Sequence, residues 1–253
     1  MDNRPIGFFD SGVGGVTTIP HIMRMLPNES IIFFGDTART PYGSKSAKTI
    51  RQFTLQIGEF LKNNDVKMIV IACNTVSSTA LELLRETYPD IPIVGCITPT
   101  AKEVVKICDK DSRIGIMATK ATVKSGVYED KIKSLNEELF IESIACPALV
   151  PLIEEGIIDN EIMDLTLKYY LDDFIRENDI NTLILGCTHY PLISKNLKRL
   201  YPNIKIFSSS KEVATAVKME LEAADMLSQN ENAKSIFYAS DLSENFVNMI
   251  ERI

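Results

Sequence analysis

The sequence predicts an α/β protein made of two similar units, and three observations carry that prediction. Short apolar runs with hardly a polar interruption recur along the 253 residues, separated by longer amphipathic stretches. Strands that are apolar on both faces belong to parallel sheets covered by helices on each side. The order of features in the first part of the chain also returns in the second. A chain of this length holds one large domain or two small ones.

In chain order, residues 5–9, 30–34, 67–71 and 91–94 read as buried strands, and residues 113–117, 139–144, 182–185 and 204–207 repeat the style. Amphipathic helices separate them, as over Glu161–Asn178. The opening Ile6-Gly7-Phe8-Phe9-Asp10-Ser11 is similar to Ile114-Gly115-Ile116-Met117-Ala118-Thr119. A strand followed by Cys73-Asn74-Thr75, a helix starting near Ser77 and Tyr88-Pro89 lines up with a strand followed by Cys187-Thr188-His189, a helix and Tyr201-Pro202. The offsets are 108 residues for the strands and 114 for the cysteines, so the copies barely drift and an internal duplication is expected. The boundaries fall near residues 97 and 207. Beyond them, residues 211–227 read as a helix, 235–238 as a strand, and a last helix ends the chain. This tail has no counterpart in the second unit and is expected to return to the first, giving domains 1–97 with 208–253, and 98–207.

Composition narrows the function. With 27 basic against 34 acidic side chains, a net charge of -7 and no dense Lys/Arg stripe, the chain lacks the electrostatic footprint of a nucleic-acid binder. Apolar runs such as residues 68–73 are far shorter than the roughly 20 residues of a membrane span, and residues 1–5 carry no targeting pattern, so a cytoplasmic protein with no membrane partner is expected. The five cysteines form no C-x-x-C and the histidines number only two, so no metal site is expected and reduced thiols are the default.

The chemistry concentrates at strand ends, where open parallel sheets gather ligands. Cys73 follows a buried strand and precedes a helix, a setting expected to favour the thiolate. Cys187 occupies the equivalent place in the second unit, beside Thr188 and His189. Two facing halves then bring both thiols to one cleft. Two acid/base groups on opposite sides of a carbon suit a reaction that removes a proton from one face and returns it to the other, which is racemisation. His189 can tune its neighbouring thiol or cap a helix. Cys96, Cys108, Cys146 and His21 read as packing. In Asp10-Ser11-Gly12-Val13-Gly14-Gly15 the glycines permit close backbone approach, but Thr17 stands where a dinucleotide fingerprint needs glycine, which excludes that cofactor site. Asp10 can assist proton transfer, meet a substrate ammonium or cap the following turn, and Ser11 can donate to a carboxylate. Pro41-Tyr42-Gly43-Ser44 reads as a turn able to bind a carboxylate. Glu154 and Glu155 follow the strand near 140–146 and by spacing alone read as solvated.

Taken together, residues 10–15, Asp36 with 41–44, Ala72-Cys73-Asn74-Thr75, Val150-Pro151-Leu152-Ile153-Glu154-Glu155 and Gly186-Cys187-Thr188-His189-Tyr190-Pro191 resemble the glutamate racemases over nearly the whole chain. The resemblance implies two flavodoxin-like domains related by pseudo-twofold symmetry, with the active site in the cleft between them. It also implies cofactor-independent interconversion of L- and D-glutamate for peptidoglycan biosynthesis, by a protein that is usually a homodimer. By the same resemblance Cys73 acts on the D-enantiomer and Cys187 on the L-enantiomer, with Asp10 beside the first thiol and His189 and Glu154 beside the second. Ser11, Pro41, Tyr42, Gly43, Ser44, Asn74, Thr75 and Thr188 hold the substrate. The chain departs from the common pattern at Val76, Thr98, Thr100 and Ser208, none of them a catalytic position. Three rivals stay open at this point: an aspartate racemase, since one methylene of cleft length is not legible, a two-domain binding module in which the thiols merely pack, and a Cys-His hydrolase needing only one thiol.

Overall fold

The computed structural model describes residues 1–251, the side chains of 245 and 249 excepted. The first unit runs β1 (Ile6–Asp10), α1 (Ile19–Met25), β2 (Ile31–Gly35), α2 (Ala47–Asn63), β3 (Met68–Ile71), α3 (Asn74–Thr87) and β4 (Ile93–Gly95). Then come α4 (Ile97–Ile107), β5 (Arg113–Ala118), α5 (Lys120–Ser125), α6 (Val127–Leu135), β6 (Phe140–Ala145), α7 (Leu149–Glu154), α8 (Glu161–Asn178), β7 (Thr182–Gly186), α9 (Ser194–Leu200) and β8 (Lys205–Ser208). The tail adds α10 (Ser210–Ala223), β9 (Ser235–Ala239) and α11 (Glu244–Ile250).

Two parallel sheets result, ordered β4-β3-β1-β2-β9 and β6-β5-β7-β8. If β5 to β8 are matched with β1 to β4, both sheets have the same doubly wound order, with β9 added outside β2. The strands that read as unbroken apolar runs are the central ones: β1, β3 and β7 are buried at every position, whereas the edge strand β6 is only half-buried. Ile6 sits opposite Ile31 and Met68, and Ile114 opposite Thr182, so the sulfur-bearing residues after β3 and β7 emerge at matching ends of their sheets.

One apolar core is shared between the units. Ile6, Phe8 and Val70 of the first sheet and Ile114, Ile116 and Ile184 of the second meet it through Val104 of α4 and Val213, Val217 and Leu221 of α10. Separate clusters lie under α2 and α3 and under α7, α8 and α9. The tail strand pairs with β2 in register Ile31 to Ser235, and Phe237 and Phe246 both pack on Phe33. Among the described residues no helix is long and apolar enough to cross a membrane.

Two helix limits differ from the sequence reading. The helix after β3 starts at Asn74 rather than near Ser77, because Cys73 itself takes the extended N-cap conformation (φ -69°, ψ 122°). The helix expected over 211–227 ends at Ala223, where Asp225 turns into the left-handed region (φ 51°) that a helix cannot continue through.

Candidate active site

The ends of β1, β3 and β7 converge on a small cavity between the two units. The first contributes Ser11, Pro41, Tyr42, Gly43, Cys73, Asn74 and Thr75 to its lining, and the second Cys187, Thr188 and His189, joined by Thr119 and Val150. The space is about 10 Å³, room for roughly one water. A larger groove of about 560 Å³ lies elsewhere, between α4, α10 and β4, but no cysteine or histidine lines it. The chemistry belongs to the smaller space.

Cys73 is 3% exposed and its Sγ donates to Ser11 Oγ at 3.3 Å. Burial and then the nearby Asp10 carboxylate push this thiol well above its ordinary value, and its hydrogen bonds with Ser11 and the Val76 N–H do not offset them. The expectation of a thiolate at rest is therefore corrected. The helix starts directly after Cys73, three residues earlier than the sequence suggests, but desolvation in a closed cleft outweighs it. Cys187 Sγ lies 3.8 Å from His189 Nδ1, and His189 Nε2 meets Glu154 Oε1 at 2.5 Å. Burial alone pulls the imidazole down, but the hydrogen bonds and charges of Cys187 and Glu154 together hold it well above the usual histidine value. Glu154 stands behind His189, outside the lining.

Asp10 is fully buried behind the cavity. Its carboxylate accepts from the N–H groups of Gly12 and Gly15 (3.3 and 2.9 Å) and from the Thr188 hydroxyl of the second unit at 3.3 Å. Of its three possible roles the turn-holding one is visible in these bonds. Gly14 explains the glycine run: a Cβ there would fall 2.6 Å from Thr188 Oγ1 and 2.7 Å from His189 Nδ1, so only glycine lets the two units close. The Tyr42 phenol donates to Asp36, which also accepts from Arg39 Nε at 2.6 Å. Ser44 lies outside the lining, its hydroxyl directed at the Pro41 carbonyl. The thiols of Cys96, pushed up by burial to about 12, and Cys146, also raised, lie outside the lining too. Among the described residues, no three His, Cys, Asp or Glu side chains gather as a metal site.

Three residues escaped the sequence reading. Thr119 links the units through a hydroxyl contact with Thr75 (2.9 Å) and also meets Thr122 of its own unit (3.1 Å). The internal duplication carried its signal, since Thr119 stands in the second unit where Ser11 stands in the first. Val150 lines the cavity; it opens the motif at 150–155, in which only Glu154 drew a role. Tyr128, 1% exposed, donates from its phenol to Asn74 Oδ1 at 2.6 Å.

Comparison with known proteins agrees with this geometry. The family model for Asp/Glu/Hydantoin racemase matches residues 16–217. The glutamate racemase of Sulfurihydrogenibium sp. is 48% identical over 85% of this chain and 82% of its own length. That of Geobacter metallireducens is 40% identical over 100% and 93%. The crystal structure of glutamate racemase from Francisella tularensis in complex with D-glutamate superposes with a TM-score of 0.93 at 37% identity, covering 100% of this chain and 94% of that one. With the family model spanning most of the chain and curated relatives matching nearly its full length, the protein belongs to the Asp/Glu/Hydantoin racemase family.

Proposed function

We propose that this chain interconverts L- and D-glutamate by a two-thiol mechanism. The observation that carries the reading is that Cys73 and Cys187, from equivalent strand ends of duplicated units, line one small space. In the L-to-D direction Cys187 takes the α-proton from one face and Cys73 returns a proton to the other; in the reverse direction the roles exchange. A protonated Cys73, as its surroundings favour, is the acid that the first direction requires. His189, held by Glu154, serves the Cys187 side. Ser11, Asn74, Thr75 and Thr188, with the turn Pro41-Tyr42-Gly43-Ser44, hold the carboxylates and the ammonium. Asp10 supports the first thiol and ties it to Thr188. An α-proton beside a carboxylate is weakly acidic, so the site must offer preorganised charge stabilisation in a water-poor space. A space of about 10 Å³ is too small for glutamate, so the units part to admit it.

Glutamate is favoured over aspartate because the similar proteins named above are glutamate racemases. We further propose, as the resemblance of the site motifs to the glutamate racemases implies, supply of D-glutamate for peptidoglycan in the cytoplasm, a homodimeric state, and the division into domains 1–97 with 208–253, and 98–207, the pairing of the tail strand with β2 supporting the return of the tail. The test is incubation with L-glutamate, and separately L-aspartate, in D2O, following optical rotation and α-deuterium together. Glutamate is expected to lose rotation and gain deuterium, with aspartate inert. Reaction of aspartate alone would correct the substrate, and exchange with neither would overturn the reading. Cys73→Ala and Cys187→Ala are each expected to abolish racemisation with folding intact by circular dichroism; substantial turnover in either variant would sink the two-thiol scheme and favour a one-cysteine chemistry.

A further inference from the structure

Asn74 lines the cavity and is 1% exposed. Its Oδ1 accepts from the Tyr128 phenol at 2.6 Å, while its Nδ2 finds no partner among the described residues. A buried NH2 without a partner is costly, and its residue is one of those lining the space a substrate would fill. Tyr128 comes from α6 of the second unit, 54 residues away along the chain. Its phenol lies against Thr100, one of the positions where the chain departs from the pattern it resembles, and the Thr100 hydroxyl donates to the Cys96 carbonyl at 2.7 Å. The proton of Thr100 is thus engaged elsewhere, and the phenol's own proton bridges to Asn74.

This arrangement decides which end of a symmetric-looking group meets the ligand. A carboxamide presents either two donors or an acceptor. With Oδ1 held by a phenol O–H, the donor end is turned into the cavity; rotated by half a turn, the amide would aim its oxygen at a substrate bearing two carboxylates. We propose that Tyr128, backed by Thr100, is a positioning residue that fixes the Asn74 carboxamide with its NH2 toward a carboxylate of the substrate. Because the phenol belongs to the second unit and the carboxamide to the first, the donor is correctly set only when the units are closed. The inference rests on the racemase reading above.

The experiment is a double-mutant cycle on racemisation kinetics with Tyr128→Phe, Asn74→Ala and the pair together. Tyr128→Phe keeps the ring in the core and removes only the hydroxyl. It is expected to raise KM for both enantiomers by about tenfold, the scale of one lost hydrogen bond to a charged group, with kcat within about threefold. In the Asn74→Ala background the same change is expected to add less than twofold to KM, because Tyr128 acts through Asn74. A merely structural tyrosine would add its full effect in both backgrounds. Asn74→Asp provides a second reading: aspartate still accepts from Tyr128 but faces the substrate with an oxygen, and KM is expected to rise more than in Asn74→Ala. A KM shift below about threefold in Tyr128→Phe, a shift that persists in the Asn74→Ala background, or an Asn74→Asp variant with wild-type KM would each overturn the proposal. Wild-type protein in the same assay keeps the two readings apart: if it exchanges no deuterium, both fall, and if it exchanges normally, any of these failures overturns the role of Tyr128 alone.

Discussion

At the scale of single residues, the two thiols occupy equivalent places in unequal surroundings. Cys73 faces a hydroxyl and, behind it, a buried carboxylate, whereas Cys187 faces an imidazole that is itself held by Glu154. The asymmetry has a consequence for stability that can be measured. The His189 imidazole is raised well above its ordinary value despite the burial that opposes this, through Cys187 and Glu154. A histidine raised in the folded state contributes stability that is complete below its unfolded pKa of about 6.5 and is lost as pH rises through the folded value. Urea unfolding of the wild type and of Glu154→Gln is therefore expected to differ most between about pH 5 and 6.5, with the gap closing toward alkaline pH. A gap that instead widened with pH would mean that His189 is neutral in the folded protein. The sequence brought His189 forward by its nearness to Cys187, and Glu154 only by resemblance, since nothing in the spacing of 154 and 189 says that their side chains meet.

At the scale of elements, the turn Tyr42–Ser44 and the N-terminus of α5 form a close contact between the units. A Cβ on Gly43 would fall 2.4 Å from Thr119 Cβ, a distance no flexible side-chain end can relieve. Gly43→Ala is expected to push the units apart at the rim of the cavity. Overpacking of this kind costs about 1–3 kcal/mol, and kcat/KM is expected to fall by at least about tenfold, because displacements of an ångström suffice for such losses. Wild-type kcat/KM in this variant would show that the contact is not part of the closed, active arrangement. Elements differ in how far the sequence revealed them. The central strands were legible because burial on both faces leaves an unbroken apolar run, and α8 because 18 residues display several helical periods. The short helices α5, α6 and α7 were not separately legible: six to nine residues span about two turns, and α5 and α6 are divided only by the left-handed Gly126 (φ 66°). The upward push on the Cys73 thiol was not legible for a similar reason, since a helix start is local and visible in sequence while the burial that outweighs it is tertiary. Thr119 and Tyr128 reach the site across the cleft, and only the matching of the two halves carried any trace of Thr119.

At the scale of the whole molecule, the chemistry sits at one end of the first sheet and an anchor at the other. Lys67, just before β3, is buried, and its ammonium meets Glu29 at 2.6 Å and donates to the carbonyls of Asp2 (2.6 Å) and Met226 (2.7 Å). Glu29 also accepts from the Ser228 N–H at 2.8 Å. Three distant stretches thus converge: the N-terminal residues, the connection from α1 to β2, and the segment that leads the tail from α10 to β9. This is how the chain end is returned to the first sheet, and it lies a full strand away from Cys73. Breaking one partner of a buried ion pair costs about 3–5 kcal/mol, because the other charge is left uncompensated, whereas replacing both with apolar groups recovers much of the loss. Lys67→Ala is accordingly expected to be strongly destabilised in urea, and Lys67→Met combined with Glu29→Leu to regain part of it, short of wild type because the Asp2 and Met226 carbonyls stay unmet. Below the unfolding transition, kcat of the double variant is expected to remain within about twofold of wild type, since a substitution so far from the reacting groups removes no transition-state contact. A double variant that is fully folded by circular dichroism yet has lost kcat would show instead that the anchor and the cleft are coupled through β3, and that the return of the tail to the first sheet serves catalysis as well as stability.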